Sequence, residues 1–360
     1  MLQQGDGKNR GGDIKYFAII AAALGAVLLL AAGCGSANPT SVASITSPIP
    51  PVPGKGKLYV AVTGTSDLQA GSGNMGLAIV DIATRHVEMV NLPAAKAPHG
   101  IAFTPGTRTA PGSQGRTALE APAGVLLGDA QDGRVLQVDL ASRSVTRTIK
   151  PPPNAKLSIC GMDTFTDGTI YLSSMADGMV YPLDFKAGRI GAPVAGGDGV
   201  SSSICSIVWV NGGKAAYIDN MFDPDHPETA GYLAKIQWPG GRLIKKVEDV
   251  TRPAPGGESL SHQMAATPDG KYLYVADSID GKLVKIDTTN DQIIKSVPAG
   301  KEPRSIVFSA DGRLAYIAVC HEPVDNESSV FVYDVKKDEV VARIPAIPAP
   351  LVCGIVLAET

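Results

Sequence analysis

The chain has 360 residues, 19% charged and 44% hydrophobic, with 40 Gly, 27 Pro and only 5% aromatic residues. That length supports a large core, and the turn-rich, helix-poor composition suits an all-β chain. A net charge of −3 leaves no electrostatic footprint for nucleic acid.

At the N-terminus, Lys8, Arg10 and Lys15 precede an apolar run over 16–32, which ends in Leu30-Ala31-Ala32-Gly33-Cys34. A basic start, an apolar stretch and small residues at its end read as an export signal, set apart from the fold. The run is marginal for a membrane span, which needs about 20 residues. The stretch before Cys34 resembles a bacterial lipobox, with Ala31 where Leu is commonest. The resemblance implies cleavage before Cys34, lipidation of that residue, and attachment to the membrane on its periplasmic or extracellular face. An uncleaved anchor is the alternative. Residues 1–33 are thus expected to be signal peptide. Residues 34–56, rich in Pro and Ser, are expected to be a tether with no core of its own.

From residue 57 onward short strands alternate with turns at a period of about 40–60 residues. The clearest unit runs Thr267-Pro268-Asp269-Gly270, then Tyr272-Leu273-Tyr274-Val275-Ala276-Asp277, then Leu283-Val284-Lys285-Ile286. Asp-Gly between apolar runs marks a hairpin, and the alternation is that of strands. The next unit repeats it from Ala310-Asp311-Gly312 through Tyr316-Ile317-Ala318 to Val330-Phe331-Val332-Tyr333. Four short strands per unit at this period predict a β-propeller. Tyr274-Val275-Ala276-Asp277 and Tyr316-Ile317-Ala318-Val319 resemble the name-giving tetrapeptide of YVTN-family propeller repeats. The resemblance is strong over 262–346 and weaker over the rest of 57–360.

Innermost strands begin at 99, 160, 205, 262, 304 and 353, which predicts six blades. The segment from 353 onward is too short for a blade and is expected to close the one built from 57–92. A seventh blade within 99–160 is the alternative, but the Gly/Pro/Thr-rich insert at 104–122 reads as a loop.

The residues at those six starts are His99, Cys160, Cys205, His262, Arg304 and Cys353. A propeller brings equivalent positions around one axis, so they are expected to line one channel mouth. The loops after the second strands add Cys320, His321, His226, Met175 and Met221. Three readings stay open. Cys, His and Met suit a soft metal, copper first and zinc or iron after it. With Cys34 lipidated, four cysteines remain, and Cys320–Cys353 and Cys160–Cys205 are neighbouring pairs that could form disulfides. Buried cysteines can also be plain small hydrophobes. As to function, the leading expectation is a cell-envelope platform for an unidentified ligand or protein partner. The alternatives are a metal-dependent redox protein, or a lactonase-like hydrolase using His262, Arg304 and Glu302. The acidic loop around Asp223, Asp225, His226 and Glu228 reads as solvated.

Overall fold

The computed structural model describes residues 52–64, 75–197, 199–221, 231–252, 261–321, 327–349 and 351–360. Cys34, the signal segment, most of the tether and the loop bearing His226 lie outside the described residues. So does the side chain of His262. Six sheets stand around one axis, and no α-helix occurs among the described residues. None of those residues forms a helix long and apolar enough to cross a membrane.

Blade 1 is built from Leu351–Ala358, Lys57–Gly64, Gly76–Asp81 and Val87–Asn91, from the axis outward. Blade 2 runs Pro98–Phe103, Gly124–Asp129, Val135–Asp139, Ser144–Ile149. In blade 3 the order is Ile159–Thr164, Ile170–Ser174, Met179–Asp184, with Arg189–Ile190 and Ala195–Gly196 sharing the rim. Blade 4 is Ile207–Val210, Ala215–Asp219, Leu233–Gln237, Leu243–Val247. Blade 5 is Ser261–Ala266, Tyr272–Asp277, Lys282–Asp287, Gln292–Pro298. Blade 6 is Glu302–Phe308, Leu314–Cys320, Ser328–Asp334, Glu339–Ile347. Each inner strand touches the next, and the last returns to the first. The seven-blade alternative is excluded, because residues 98–164 supply one complete sheet and the start of the next.

Burial explains the sequence pattern. Inner strands are covered on both faces and read as unbroken apolar runs, as in Leu351–Ala358, buried throughout. Outermost strands alternate, as in Ser144–Ile149. The core is divided into wedges, each lying between two adjacent blades. Close approach at the axis demands glycine. A Cβ on Gly161 would meet the Cys205 carbonyl oxygen at 2.0 Å, and one on Gly354 would meet that of His99 at 2.7 Å.

The C-terminal strand closes the ring as expected. Leu58 faces Leu357 and Val60 faces Ile355, but Val62 faces Val352. Between those pairs Ala61 stands opposite both Cys353 and Gly354, a β-bulge at the channel mouth.

The insert at 104–122 is not a surface loop. Thr117–Ala118 pairs in parallel with Leu357 and Ala358 on the axial side of the closing strand. Arg116 points inward, its Nε 2.9 Å from Asp163 Oδ1, its Nη2 also on that carboxylate, and its Nη1 donating to the Ile306 carbonyl at 3.2 Å. Thr117 Oγ1 donates to Phe308 O at 2.7 Å, and Gln114 exchanges two hydrogen bonds with the backbone of Trp209. The insert thus plugs the channel at the C-terminal ends of the inner strands.

Candidate functional site

The opposite mouth is where the inner strands begin. His99, Cys353 and Arg304 come from blades 2, 1 and 6, which are consecutive around the ring. His99 and Cys353 are buried at 7% and 3% exposure. His99 Nδ1 lies 3.2 Å from the Ala97 carbonyl oxygen. A carbonyl only accepts, so Nδ1 carries the hydrogen and the other ring nitrogen is left to Cys353, with which His99 is hydrogen-bonded. Thr63 Oγ1 donates to Pro98 O at 2.7 Å and stands 3.5 Å from Cys353 Sγ.

The electrostatics follow from this packing. Burial alone raises the Cys353 thiol, but the charge and hydrogen bond of His99, with help from Arg304 and Thr63, outweigh it and hold the thiol below its ordinary value. Burial alone lowers His99, but Cys353 and the Ala97 carbonyl reverse the shift and the imidazole is raised. Each group thus shifts the other toward its charged form. Cys320 has no such partner. Burial pushes its thiol up to about 12, Arg304 opposing. Its sulfur receives the Val352 N–H at 3.3 Å and donates to the Val352 carbonyl at 3.1 Å, one residue before Cys353. Arg304 donates to Glu302 Oε2 at 3.1 Å, and His321 Nε2 is 3.7 Å from the same oxygen. These three are the partly exposed rim of the mouth, at 13%, 16% and 13% side-chain exposure for Arg304, Glu302 and His321.

Across the mouth, Cys160 and Cys205 are joined in a disulfide between blades 3 and 4, with Cα atoms 4.7 Å apart. Met221 and Met175 pack on it. The start of its second strand is fixed by fully buried Asp219, whose Oδ1 accepts the N–H groups of Cys205 and Ser206 at 2.9 and 2.8 Å. Gln263 joins the two halves. Its Nε2 donates to the Cys160 carbonyl at 3.3 Å, and its Oε1 accepts from Ser305, the neighbour of Arg304.

The expected ring is therefore divided by chemistry. His99, Cys353, Arg304, Cys320 and His321 share one side. Cys160 and Cys205 are tied to each other on the other. His262 contributes its backbone to the inner strand of blade 5. Cys320 and Cys353 are free thiols rather than a bridged pair. Among its described side chains, the ring is not one donor set for copper. Two sulfurs are bonded together, Cys353 is engaged by His99, and Arg304 cannot ligate. Among the described residues no cluster of three or more His, Cys, Asp or Glu side chains is placed to hold a metal ion. Of the residues of the lactonase-like alternative, Glu302 is paired with Arg304, and the side chain of His262 lies outside the described residues. The plug residues Arg116 and Asp163 are a feature that spacing does not reveal. Asp163, a charge inside an otherwise apolar inner strand, is the signal that points to them.

Residues 251–355 match the family model described as Cytochrome D1 heme domain. No curated protein matches the chain. Among solved structures, a chain of a nidogen/laminin complex aligns over 84% of this chain and 98% of that one, with a TM-score of 0.60 and 11% identity. A protein of unknown function from Bacteroides caccae aligns over 85% and 100%, with a TM-score of 0.59 and 12% identity. Kuenenia stuttgartiensis hydrazine synthase aligns over 66% and 67%, with a TM-score of 0.45 and 16% identity. The first two likenesses show the propeller fold.

The matched segment carries Arg304, Cys320, His321 and Cys353, so a haem deserves a test of fit. Both ring nitrogens of His99 are engaged, the Cys353 sulfur is engaged by His99, and the Cys320 sulfur lies against Val352 backbone. Neighbouring inner strands abut backbone to backbone at Gly161 and Gly354. Among the described residues, His99, Cys353 and Cys320 offer a haem no free axial ligand.

Proposed function

We propose that this chain is an exported, lipid-anchored propeller of the YVTN-repeat type whose open channel mouth binds a small polar molecule. Residues 1–33 are its signal peptide, Cys34 its lipidation site, 34–56 its tether and 57–360 its binding domain. One observation carries the binding role. The plug closes one end of the channel, while the other gathers a buried thiol and imidazole behind a partly exposed rim of Arg304, Glu302 and His321. Loops and strand ends on a rigid scaffold are the usual seat of such sites. The Cys160–Cys205 disulfide supports export, since such bonds persist in oxidising compartments.

The match to a haem domain supports a redox setting as the second reading, and the free thiols offer redox chemistry without haem. The binding role is tested by thermal shift against a panel of small carboxylates and organic phosphates, comparing parent with Arg304→Gln. A compound that stabilises the parent and leaves the variant unmoved supports the mouth as the site; equal shifts in both place binding elsewhere. For the anchor, labelled palmitate should enter the parent and be lost from Cys34→Ser.

A further inference from the structure

Cys353 and Cys320 are both free thiols, and the Cys320 sulfur is hydrogen-bonded to the backbone of the residue just before Cys353. The sulfur of Cys353 faces three groups from three strands: His99 from blade 2, Arg304 from blade 6, and Thr63, whose Oγ1 is 3.5 Å away. Thiolate character is what makes a cysteine react with an oxidant. A cation beside that sulfur is what an incoming O–O group needs, because charge builds on the departing oxygen. Cys353 and Gly354 also lie in the bulge of the closing strand, where pairing is interrupted and a side chain can be re-aimed. Cys320 is bound to the backbone of the adjacent residue, Val352, through both its N–H and its carbonyl. Its raised pKa keeps it protonated until it is called on. At 3% exposure Cys353 admits only a small reagent.

We propose that Cys353 is a peroxide-reducing thiol, with His99 as its acid–base partner and Cys320 as its resolving thiol, acting on hydrogen peroxide and small alkyl hydroperoxides at the channel mouth. This rests on the mouth being open to small molecules and goes beyond binding. In the first step the Cys353 thiolate attacks the terminal hydroxyl oxygen of the hydroperoxide. The S–O bond forms and the O–O bond breaks. The departing alkoxide or hydroxide takes the proton of the His99 imidazolium, and Cys353 becomes a sulfenic acid, oxidised by two electrons. In the second, Cys320 gives its proton to the now neutral His99 and attacks the Cys353 sulfur. The S–S bond forms, the S–O bond breaks, and the hydroxide leaves as water with that proton. The product is a Cys320–Cys353 disulfide. Repeated turnover requires an external dithiol reductant, which exchanges with it through a mixed disulfide.

The test uses the mature chain treated with one equivalent of hydrogen peroxide and read by peptide mass spectrometry. The parent should form the Cys320–Cys353 disulfide with Cys160–Cys205 unchanged. Cys320→Ser should instead accumulate a sulfenic acid on Cys353, trapped by dimedone. His99→Asn should slow oxidation by at least about tenfold at neutral pH. Iodoacetamide labelling of the folded parent separates the two levels of the argument. If Cys353 is alkylated yet reacts with peroxide no faster than free cysteine, the peroxide activity is wrong and the open mouth stands. If it is not alkylated, the mouth is closed and both fail. A parent and Cys320→Ser that give the same product would overturn the resolving role.

Discussion

At the scale of single residues, the molecule repeatedly decides chemistry by what lies beside a side chain. Cys353 and Cys320 are both buried, yet one is held low by an imidazole and the other is pushed up to about 12 by burial. Arg116 and Asp163 show the same dependence inside the plug. Their side chains are 7% and 0% exposed and bound to each other at two guanidinium nitrogens. Removing one member strands the other as an uncompensated charge. Arg116→Ala should therefore cost about 3–5 kcal/mol in chemical denaturation. The double variant Arg116→Met with Asp163→Leu should recover much of that loss. Equal losses in both would show that the pair is not what holds the plug. The six strand starts were legible because His, Cys and Arg are rare enough to expose a shared frame. Which of them would pair was not, since Cys160 and Cys353 sit in the same frame and only the neighbouring blade gives one a sulfur and the other a histidine.

At the scale of elements, the Tyr of the repeat has a structural role. Tyr274 on the second strand of blade 5 and Lys285 on its third both reach Asp338, in the outer turn of blade 6, at 3.5 and 3.2 Å. Tyr333 and Lys295 complete the cluster at 2.8 Å each. One blade earlier, Tyr217 and Lys235 meet Asp291 in the same way. Each Asp has a positive φ, 62° for Asp291 and 56° for Asp338, a conformation Asp tolerates in turns. The motif staples blade 4 to blade 5 and blade 5 to blade 6 at mid-radius. Burial raises the Asp338 carboxyl, but Lys295, Tyr333 and Lys285 overcome this and hold it below the usual carboxylate range. A depressed folded pKa stabilises fully above the unfolded value of about 4 and is lost as pH falls through the folded value. Asp338→Asn should cost about 1–2 kcal/mol at pH 7, and the gap from the parent should shrink toward pH 3. A gap independent of pH would count against the staple. The strands and their Asp-Gly turns were legible from periodicity. The staple was not, because its members lie 53 and 64 residues apart.

At the scale of the whole molecule, six blades were legible from the repeat, and the closing strand from a C-terminal segment too short to stand alone. The plug was not. Its Gly/Pro/Thr composition signals irregular backbone but not whether that backbone lies outside the ring or down its axis. Deleting residues 352–360 should leave Lys57–Gly64 without an inner partner, expose the wedge between blades 6 and 1, and abolish a cooperative melt or cause aggregation. A truncated chain that melts like the parent would show that closure contributes nothing to stability.

That closure also sets an order of events in time. Cys160 and Cys205 are 45 residues apart on successive blades, whereas Cys353 lies within the last eight residues of the chain. A chain that emerges N-terminus first presents the first two thiols to each other before the last one exists outside. By the time Cys353 arrives, Cys160 and Cys205 have been consumed by each other, and Cys320 is the thiol left beside it. His99 and Thr63, displayed since early in synthesis, are waiting at its docking place. The reactive sulfur is therefore created by the act that completes the ring, and an unfinished chain carries no activated thiol with which to react wrongly.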